Sequence, residues 1–337
     1  MQIGIHTPEI NAQSFKILIK KVTEEASKAG VNFIPFKTIS ELPRNADMYW
    51  DPNVGGGYLP VINKHHTNKP IVITFHGARL FSLSLKENKT DKIGYFQIIK
   101  ERLIMKRLWK KYAAHYDQII TASEYSKSEL LKYFPFEPKK ITPIYVSTDT
   151  NLFCPLNRRI DFTDLSKEYF LHFSVYQPAK NVERIIRAYE MVAKNESIPQ
   201  LYIISNNYNK KSSVHGVKIF ETRNRTKEEV ARLYQNAYAF IFPSLHEGFG
   251  VPIIEAMACG IPVLTSGSTS CIETAGNAAL LVNPRDVGQI ADGMSRLIND
   301  TGYRNELVKK GIERVKFFSW AKCGKEHLNI FKKTQNE

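Results

Sequence analysis

The feature that most constrains the fold is an alternation of short apolar runs with longer stretches of helical periodicity. It appears in both halves of the chain. The first half contains the run IVITF, and the second contains FLHFSV and AFIF. Such runs are typical of parallel strands buried on both faces, and the periodic stretches are typical of the helices that cover them. We therefore predict two doubly wound α/β domains in tandem.

A polar segment, Val146–Tyr169, interrupts the alternation and shows no sustained period. It predicts the interdomain linker. The two domains are then expected to span residues 1–155 and 165–318, with a final helical stretch at residues 319–337. Because ligands of doubly wound sheets bind at the carboxyl ends of the strands, we expect a site in a cleft between the two domains.

Charge and cysteine content narrow the function classes. The 337 residues carry a formal net charge of +14, which favours an anionic partner: nucleic acid, an anionic membrane surface or a phosphorylated substrate. The four cysteines form no C-x-x-C pair, so we expect neither a zinc site nor a disulfide framework. Because no signal region opens the chain and no apolar run approaches about 20 residues, we expect a cytoplasmic protein.

One stretch, FPSLHEGFGVPIIEAMACGIPV, concentrates functional groups where a predicted strand meets a predicted helix. Glu247 ends the strand, and Glu255 is expected in the first turn of the helix. Carboxylates accept hydrogen bonds from vicinal hydroxyls, whereas a helix start and the glycines Gly248 and Gly250 suit a diphosphate. This pattern predicts a nucleotide-sugar site. The alternative is that Glu255 only complements the helix dipole and Glu247 caps a turn.

The same stretch resembles the E-x₇-E signature of the retaining glycosyltransferases of family four, also described as glycosyl transferases group 1. TSGSTSCIETAGNAALLVNPRD, FSWAKCGKEHLNIF and ITASEYSKSELLKYF extend the resemblance over most of the chain. The resemblance implies the GT-B fold, in which two Rossmann-like αβα domains face each other across a cleft. It also implies a C-terminal helix that crosses back to the N-terminal domain.

The resemblance assigns donor-binding roles in the second half of the chain. Glu247 would contact the hydroxyls of the donor sugar, and Glu255 would hold the ribose. SVYQPAKN resembles the phosphate-binding segment of the family and places Lys180 on the diphosphate. The remaining donor-binding residues that it implies are Ser174, Gly248, Phe249, Gly250 and Val251.

The chain departs from the family in this segment. Where many members carry an arginine, it has Val175 or Ala179, so either one cationic contact is missing or Arg184 or Arg223 supplies it. The loop Ser268–Ser270 would contact phosphate or sugar hydroxyls, although an ordinary polar loop explains it equally well.

In the first half, His76 resembles the histidine that family members place at the edge of the cleft near acceptor and donor sugar. The alternative is a core histidine with a hydrogen bond at a strand end. Gly56 and Gly57, in DPNVGGGYLP, would form an acceptor-binding loop or an ordinary turn.

The resemblance implies retaining, metal-independent transfer of a hexose from GDP-mannose or a UDP-hexose. No cofactor is expected. The acceptor would be a glycan or lipid-linked sugar in cell-surface polysaccharide or glycolipid synthesis. One alternative is a sugar-nucleotide-binding or epimerase-like protein of the same fold. A nucleic-acid-binding protein is the other, although no helix-turn-helix, zinc or base-stacking motif supports a nucleic-acid partner.

A predicted helix, Ile93–Tyr116, is rich in Lys and Arg. These charges either surround an ordinary core-facing helix or dock the protein on anionic lipid, as a peripheral protein of the cytoplasmic membrane face.

Overall fold

The computed structural model describes residues 1–9, 13–55, 57, 59–90, 93–156, 169–194, 198–208, 210–221 and 225–336. The strands within them are β1 (Gln2–His6), β2 (Asn32–Phe36), β3 (Met48–Val54), β4 (Ile71–Phe75), β5 (Gln118–Thr121), β6 (Ile141–Pro143), β7 (Tyr169–Val175), β8 (Gln200–Asn206), β9 (Val217–Phe220), β10 (Ala239–Phe242), β11 (Val263–Ser266) and β12 (Leu280–Val282). The helices are α1 (Gln13–Ser27), α2 (Arg79–Ser82), α3 (Leu85–Asn88), α4 (Tyr95–Tyr112), α5 (Glu124–Tyr133), α6 (Val182–Ala193), α7 (Lys227–Gln235), α8 (Val251–Ala258), α9 (Ser270–Ala275), α10 (Val287–Asn299), α11 (Thr301–Val315) and α12 (Trp320–Asn336).

The chain forms two compact units. Unit 1 comprises Met1–Ser147 with Phe318–Glu337, and unit 2 comprises Thr148–Phe317. Part of the predicted linker packs into unit 2, where the ring of Phe153 lies 5.7 Å from that of Tyr234. Residues 157–168 of the predicted linker lie outside the described residues.

Each unit contains a six-stranded sheet in which every pair of neighbouring strands is parallel. The order is β2-β1-β3-β4-β5-β6 in unit 1 and β12-β11-β10-β7-β8-β9 in unit 2. In β10, Phe240 and Phe242 enter one apolar core and Ala239 and Ile241 the other, so both faces of the sheet are covered. The prediction of two doubly wound domains is confirmed.

The C-terminal helix belongs to unit 1, as the GT-B fold requires. α12 packs along α1, and a Cβ built on Gly324 would lie 2.4 Å from the Cβ of Glu25. The ring of Phe331, on α12, lies 5.3 Å from that of Trp50 on β3. The predicted return of the last helix to the N-terminal domain is therefore confirmed.

Candidate functional site

The candidate donor site lies where the strand order of unit 2 reverses. β8 and β9 lie on one side of β7, whereas β10, β11 and β12 lie on the other. The loops that leave the carboxyl ends of β7 and β10 therefore border a crevice, the usual ligand position in such sheets. Lys180 follows β7 and Glu247 follows β10, so the sheet topology brings together two residues that are 67 positions apart.

Lys180 and Glu247 form a short ion pair. The Nζ of Lys180 donates a hydrogen bond of 2.6 Å to Oε1 of Glu247, and the two side chains are 18% and 11% exposed. The ammonium also lies 5.1 Å from the centre of the Phe242 ring. In a partly desolvated setting such a charged pair is stronger than on the surface. The pair therefore holds both charged groups at the crevice before any ligand arrives.

The two loops are tied to each other through backbone groups. Asn181, in the left-handed region with φ 64°, donates through its side-chain amide to the carbonyls of Pro243 and Pro284 at 2.9 and 2.6 Å. The backbone N–H of Leu245 donates to the carbonyl of Ala179 at 2.7 Å. These bonds fix the loop that carries Lys180 against the loop that leads to Glu247.

Gly250 forms the junction between the glycine loop and α8. Its φ of 103° is one that L side chains rarely adopt, and an added Cβ would lie 3.0 Å from Cδ1 of Ile253. The loop rests on α9, because Ser270 Oγ donates to the carbonyl of Glu247 at 2.8 Å and Thr274 Oγ1 donates to that of Phe249. The positive end of the α8 dipole therefore faces the same region as Lys180.

Glu255 lies in the second turn of α8, which begins at Val251, and not in its first turn as the sequence predicted. Because α8 starts at Val251, its first turn ends before Glu255, which is the first residue of the second turn. Its Oε2 accepts a 3.1 Å hydrogen bond from the hydroxyl of Tyr234. Burial raises the pKa of Glu255 to about 7, although the Tyr234 hydrogen bond acts in the opposite direction. The carboxyl therefore titrates in the physiological range.

Ser174 belongs to a buried line of polar groups beneath the crevice. Nδ1 of His172 donates to the carbonyl of Ile241 at 2.9 Å, which leaves Nε2 to accept from the hydroxyl of Ser174 at 2.9 Å. Ser205 lies 3.2 Å from the same hydroxyl. Burial lowers the pKa of His172 to about 4, so the ring is neutral. Ser174 is 6% exposed, and its predicted contact with the donor stays a prediction.

The second cation expected near the diphosphate stays a prediction as well. Arg184 donates from its guanidinium to Oδ1 of Asn181 at 2.7 Å, so it braces the loop of Lys180. Arg223 lies outside the described residues.

In unit 1, His76 follows β4 and has a fixed orientation. Nε2 donates to the carbonyl of Pro52 at 2.7 Å, and the ring stacks on Phe15 with centroids 3.9 Å apart. Burial lowers the pKa of His76 to about 4, which leaves a neutral ring with Nδ1 as an acceptor. Gly57 has a φ of 107° with open space around it, whereas Gly56 lies outside the described residues.

Unit 1 contains a polar pair, His6 and Asp51, that the sequence did not predict. His6, at the end of β1, donates from Nδ1 to Oδ1 of the buried Asp51 at 3.0 Å. Oδ2 of Asp51 accepts from the backbone N–H of Val61 at 3.0 Å, and the strand bulges between Asp51 and Val54. An acidic residue inside the apolar run MYWDPNV was the available signal. The bulge presents the carbonyl of Pro52 to His76.

The sequence matches two family descriptions that together cover most of the chain. Residues 155–314 match the family described as Glycosyl transferases group 1, and residues 53–152 match the one described as Glycosyltransferase Family 4. The chain belongs to this glycosyltransferase family. Both matches agree with the E-x₇-E resemblance, and the matched segment of unit 2 contains Lys180, Glu247 and Glu255.

Relatives and solved structures extend the likeness. This glycosyltransferase is 27% identical over 302 residues to O-antigen chain mannosyltransferase B of Escherichia coli, across 85% of this chain and 74% of the relative. It is 30% identical over 185 residues to the serotype-specific mannosyltransferase WbdA of Escherichia coli, across 50% of this chain but only 22% of WbdA. The structure of Anabaena HepE in complex with UDP-glucose superposes with a TM-score of 0.72 at 13% identity, over 99% of this chain and 100% of that one. The shared fold is GT-B.

Two further findings concern metal and membrane. Within the described ranges, His, Cys, Asp and Glu side chains nowhere gather in a group of three or more that could hold a metal ion. In the same part of the glycosyltransferase, no helix combines the length and apolar character that crossing a bilayer requires.

Proposed function

We propose that this glycosyltransferase moves a hexose, with retention of anomeric configuration, from a nucleoside-diphosphate sugar to a hydroxyl of a glycan or lipid-linked acceptor. One observation carries the proposal: the Lys180–Glu247 ion pair lies at the reversal point of the sheet in unit 2, beside the start of α8. GDP-mannose is the first candidate donor, because two relatives are named mannosyltransferases. A UDP-hexose is the second, because HepE was solved with UDP-glucose.

The donor would replace the ion pair with two complementary sets of contacts. Its diphosphate binds the ammonium of Lys180 and the amino-terminal end of α8, where positive charge and backbone donors meet. The sugar hydroxyls bind the carboxylate of Glu247, and the ribose hydroxyls bind Glu255. Gly248, Phe249, Gly250 and Val251 line the sugar and phosphates. Each charged group therefore exchanges its protein partner for a ligand partner, which limits the cost of desolvation.

The chemical step is a front-face displacement. A bond forms between the acceptor oxygen and the anomeric carbon as the bond from that carbon to the phosphate oxygen breaks on the same face. The acceptor proton passes to a phosphate oxygen, and the nucleoside diphosphate leaves. Lys180 stabilises the negative charge that develops on the departing diphosphate. His76, a neutral ring with Nδ1 as acceptor, would contact a hydroxyl of the donor sugar or the acceptor. The reaction requires neither a metal ion nor a cofactor besides the donor.

The test of this assignment uses Lys180. The purified protein is given GDP-mannose, GDP-glucose, UDP-glucose or UDP-galactose, and release of the nucleoside diphosphate is followed with and without mannose-terminated glycolipids. We expect release to rise when an accepted glycolipid is added, which separates transfer from mere binding. Lys180→Ala should lower turnover by about 10²–10³, the usual cost of losing one charge-stabilising donor.

Lys316→Ala is the matched control. Lys316 also forms an ion pair in unit 2, with Glu313 at 2.6 Å, and both side chains are about two-thirds exposed at the end of α11. Its removal should change turnover by less than about twofold. Equal effects of the two substitutions would contradict the role of Lys180. Loss of turnover on addition of a chelator would contradict metal independence, and an inverted anomer in the product would contradict retention.

The acceptor is proposed to be a glycan or a lipid-linked sugar in the synthesis of cell-surface polysaccharide or glycolipid. The likeness to O-antigen chain mannosyltransferase B of Escherichia coli supports this proposal. A lipid-linked acceptor would bring the protein to the cytoplasmic face of a membrane as a peripheral protein.

A further inference from the structure

α4 has an unusual solvent-facing side. The structure describes all 18 residues of this helix, of which Ile98, Met105 and Trp109 face the core. Apart from Gln97, every exposed residue of α4 is either apolar or aromatic, or basic. None of the exposed residues of α4 is acidic. They are Tyr95, Phe96, Gln97, Ile99, Lys100, Leu103, Ile104, Lys106, Arg107, Lys110 and Lys111.

The apolar side chains on this face of α4 are unusually exposed to solvent. Phe96 is 82% exposed and Leu103 is 62% exposed. Among the described residues, five of the eleven exposed large hydrophobic side chains lie on this single helix. A concentration of this kind marks an interaction surface, whereas isolated exposed apolar residues are ordinary. The face opposite the buried stripe is therefore built to contact something apolar.

The helical geometry puts these apolar side chains and the cations on one side. At 100° per residue, Phe96, Leu103, Lys100, Arg107 and Lys110 all project within about 40° of a common direction, opposite the buried stripe. Apolar residues dominate the first half of the helix and basic residues the second. A helix that presents large apolar side chains among lysines and arginines is typical of the membrane interface, where chains enter the acyl boundary and cations meet headgroups.

The neighbouring short helix adds to the positive charge. Lys86 and Lys89 are exposed on and just after α3, which packs against α4, and the ammonium of Lys89 lies 5.0 Å from the centre of the Tyr95 ring. This charge disfavours a second copy of the chain as the partner, because two such faces would repel each other. It favours a partner that is both apolar and anionic, which a bilayer with acidic headgroups provides.

We propose that the exposed face of α4, with Lys86 and Lys89, docks unit 1 on the surface of a membrane that contains anionic lipid. The docking partner is the lipid surface itself and not a free phosphate, because the apolar side chains need an acyl boundary to enter. The inference rests on the proposed function only for the role of the docking, because a lipid-linked acceptor lies at the same membrane surface.

The test is co-sedimentation of the full chain with vesicles of two compositions, phosphatidylglycerol with phosphatidylethanolamine, and phosphatidylcholine alone. We expect binding to the anionic vesicles to be at least about tenfold stronger, and to weaken as salt is raised. Phe96→Ser with Leu103→Ser should weaken binding to the anionic vesicles by at least about tenfold, because two large apolar side chains no longer enter the interface. Lys106→Gln with Arg107→Gln and Lys110→Gln should weaken it by about a hundredfold.

The matched control is Met191→Ser on α6, a side chain that is 50% exposed in unit 2. It should leave vesicle binding within about twofold of the unsubstituted protein. None of the α4 substitutions touches the buried stripe, and an unchanged circular dichroism melt confirms that each variant is folded.

Equal sedimentation with both vesicle types, or full binding by the serine and glutamine variants, would overturn the proposal. Binding to an acidic protein without binding to vesicles would also overturn the proposal. Transfer from the donor to a detergent-solubilised acceptor glycolipid without vesicles, measured on the same variants, keeps the two proposals apart. It should be unchanged by the α4 substitutions, and its absence from every variant would count against the proposed function alone.

Discussion

Glu255 is the residue whose protonation should be visible in donor binding. An ionised carboxylate accepts hydrogen bonds at both oxygens, and one oxygen already accepts from Tyr234. Because burial raises the pKa of Glu255 to about 7, we expect the KM for GDP-mannose to fall as the pH rises through that value. Glu255→Gln should flatten this dependence and raise the KM at all pH values.

The substitution Tyr234→Phe tests more directly whether Glu255 controls the pH dependence of the KM. The hydroxyl of Tyr234 lowers the pKa of Glu255, so its removal should move the midpoint of the KM profile to higher pH without abolishing it. The measurement is the donor KM between about pH 5.5 and 8.5, with wild type, Tyr234→Phe and Glu255→Gln in parallel. A midpoint that does not move in Tyr234→Phe would show that another group controls the profile.

At the residue level, the sequence predicted which side chains gather at the site but not what holds them. Lys180, Glu247 and Glu255 fall within recognisable motifs, and the structure brings the first two into contact. Their roles on the donor remain predictions. Tyr234 and the His6–Asp51 pair could not be predicted, because each contact joins different elements, 21 and 45 positions apart, and depends on how those elements pack.

At the level of elements, the sequence predicted the buried strands and the long amphipathic helices, each within a few residues. The predicted helix Ile93–Tyr116 is shorter in the structure, since α4 ends at Tyr112 and a 3₁₀ turn follows. Thr226 and Glu229 form a capping box at the start of α7, and their T-x-x-E spacing is visible in the sequence. An element that carries its own periodicity or cap can be recognised from local sequence alone.

The missed elements are the shortest ones. α2 and α3 have four residues each, and α9 has six, too few for a periodic pattern. β6 and β12 have three residues each, and both are edge strands of their sheets. A three-residue strand exists because its neighbour offers a row of backbone partners, so its own sequence need not show it.

The packing of α12 on α1 depends on a glycine and can be tested there. A Cβ at Gly324 would lie 2.4 Å from the Cβ and 2.7 Å from the Cγ of Glu25, atoms near the backbone that cannot swing away. Gly324→Val should therefore force the helices apart and destabilise unit 1 by about 1–3 kcal/mol, the usual cost of overpacking. The measurement is the urea midpoint followed by the fluorescence of the tryptophans, one of which, Trp320, lies on α12.

The matched control is Gly302→Val in α11. There an added Cβ has Asp300 Oδ1 as its nearest neighbour, at 3.6 Å, on the exposed surface. It should change stability by no more than about 0.5 kcal/mol. If Gly324→Val also left the urea midpoint unchanged, the close packing of α12 on α1 would not contribute to stability.

At the scale of the whole molecule, buried titrating groups are distributed unequally between the two units. Burial lowers the pKa of His76 and of His327 in unit 1 to about 4, and that of His172 in unit 2 to about 4. Each unfolded histidine binds a proton near its ordinary value of 6.5, so the folded state loses stability as the pH falls from about 6.5 toward 4. At about pH 5 the loss is about 2 kcal/mol per histidine.

Glu255 opposes this loss, but only in unit 2. Its folded pKa of about 7 lies above its ordinary value of 4.5, so between those values the folded state binds the additional proton and gains stability as the pH falls. The gain between about pH 7 and pH 5 is also about 2 kcal/mol, which offsets His172. Unit 1 contains two such histidines, whereas Glu255 lies in unit 2. Acid should therefore destabilise unit 1 more than unit 2.

The tryptophans allow the two units to be followed separately. All three, Trp50, Trp109 and Trp320, lie in unit 1, so their fluorescence reports on that unit, whereas far-ultraviolet circular dichroism reports on both. On going from about pH 7 to pH 5, we expect the urea midpoint from fluorescence to fall further than that of the remaining transition seen by circular dichroism. His327→Phe keeps an aromatic ring beside Trp50 and Phe331 but cannot titrate, so it should reduce the acid-dependent fall of the fluorescence midpoint by about half. Fluorescence and circular dichroism midpoints that shift together, or a fall unchanged in His327→Phe, would mean that these buried histidines do not set the acid stability of unit 1.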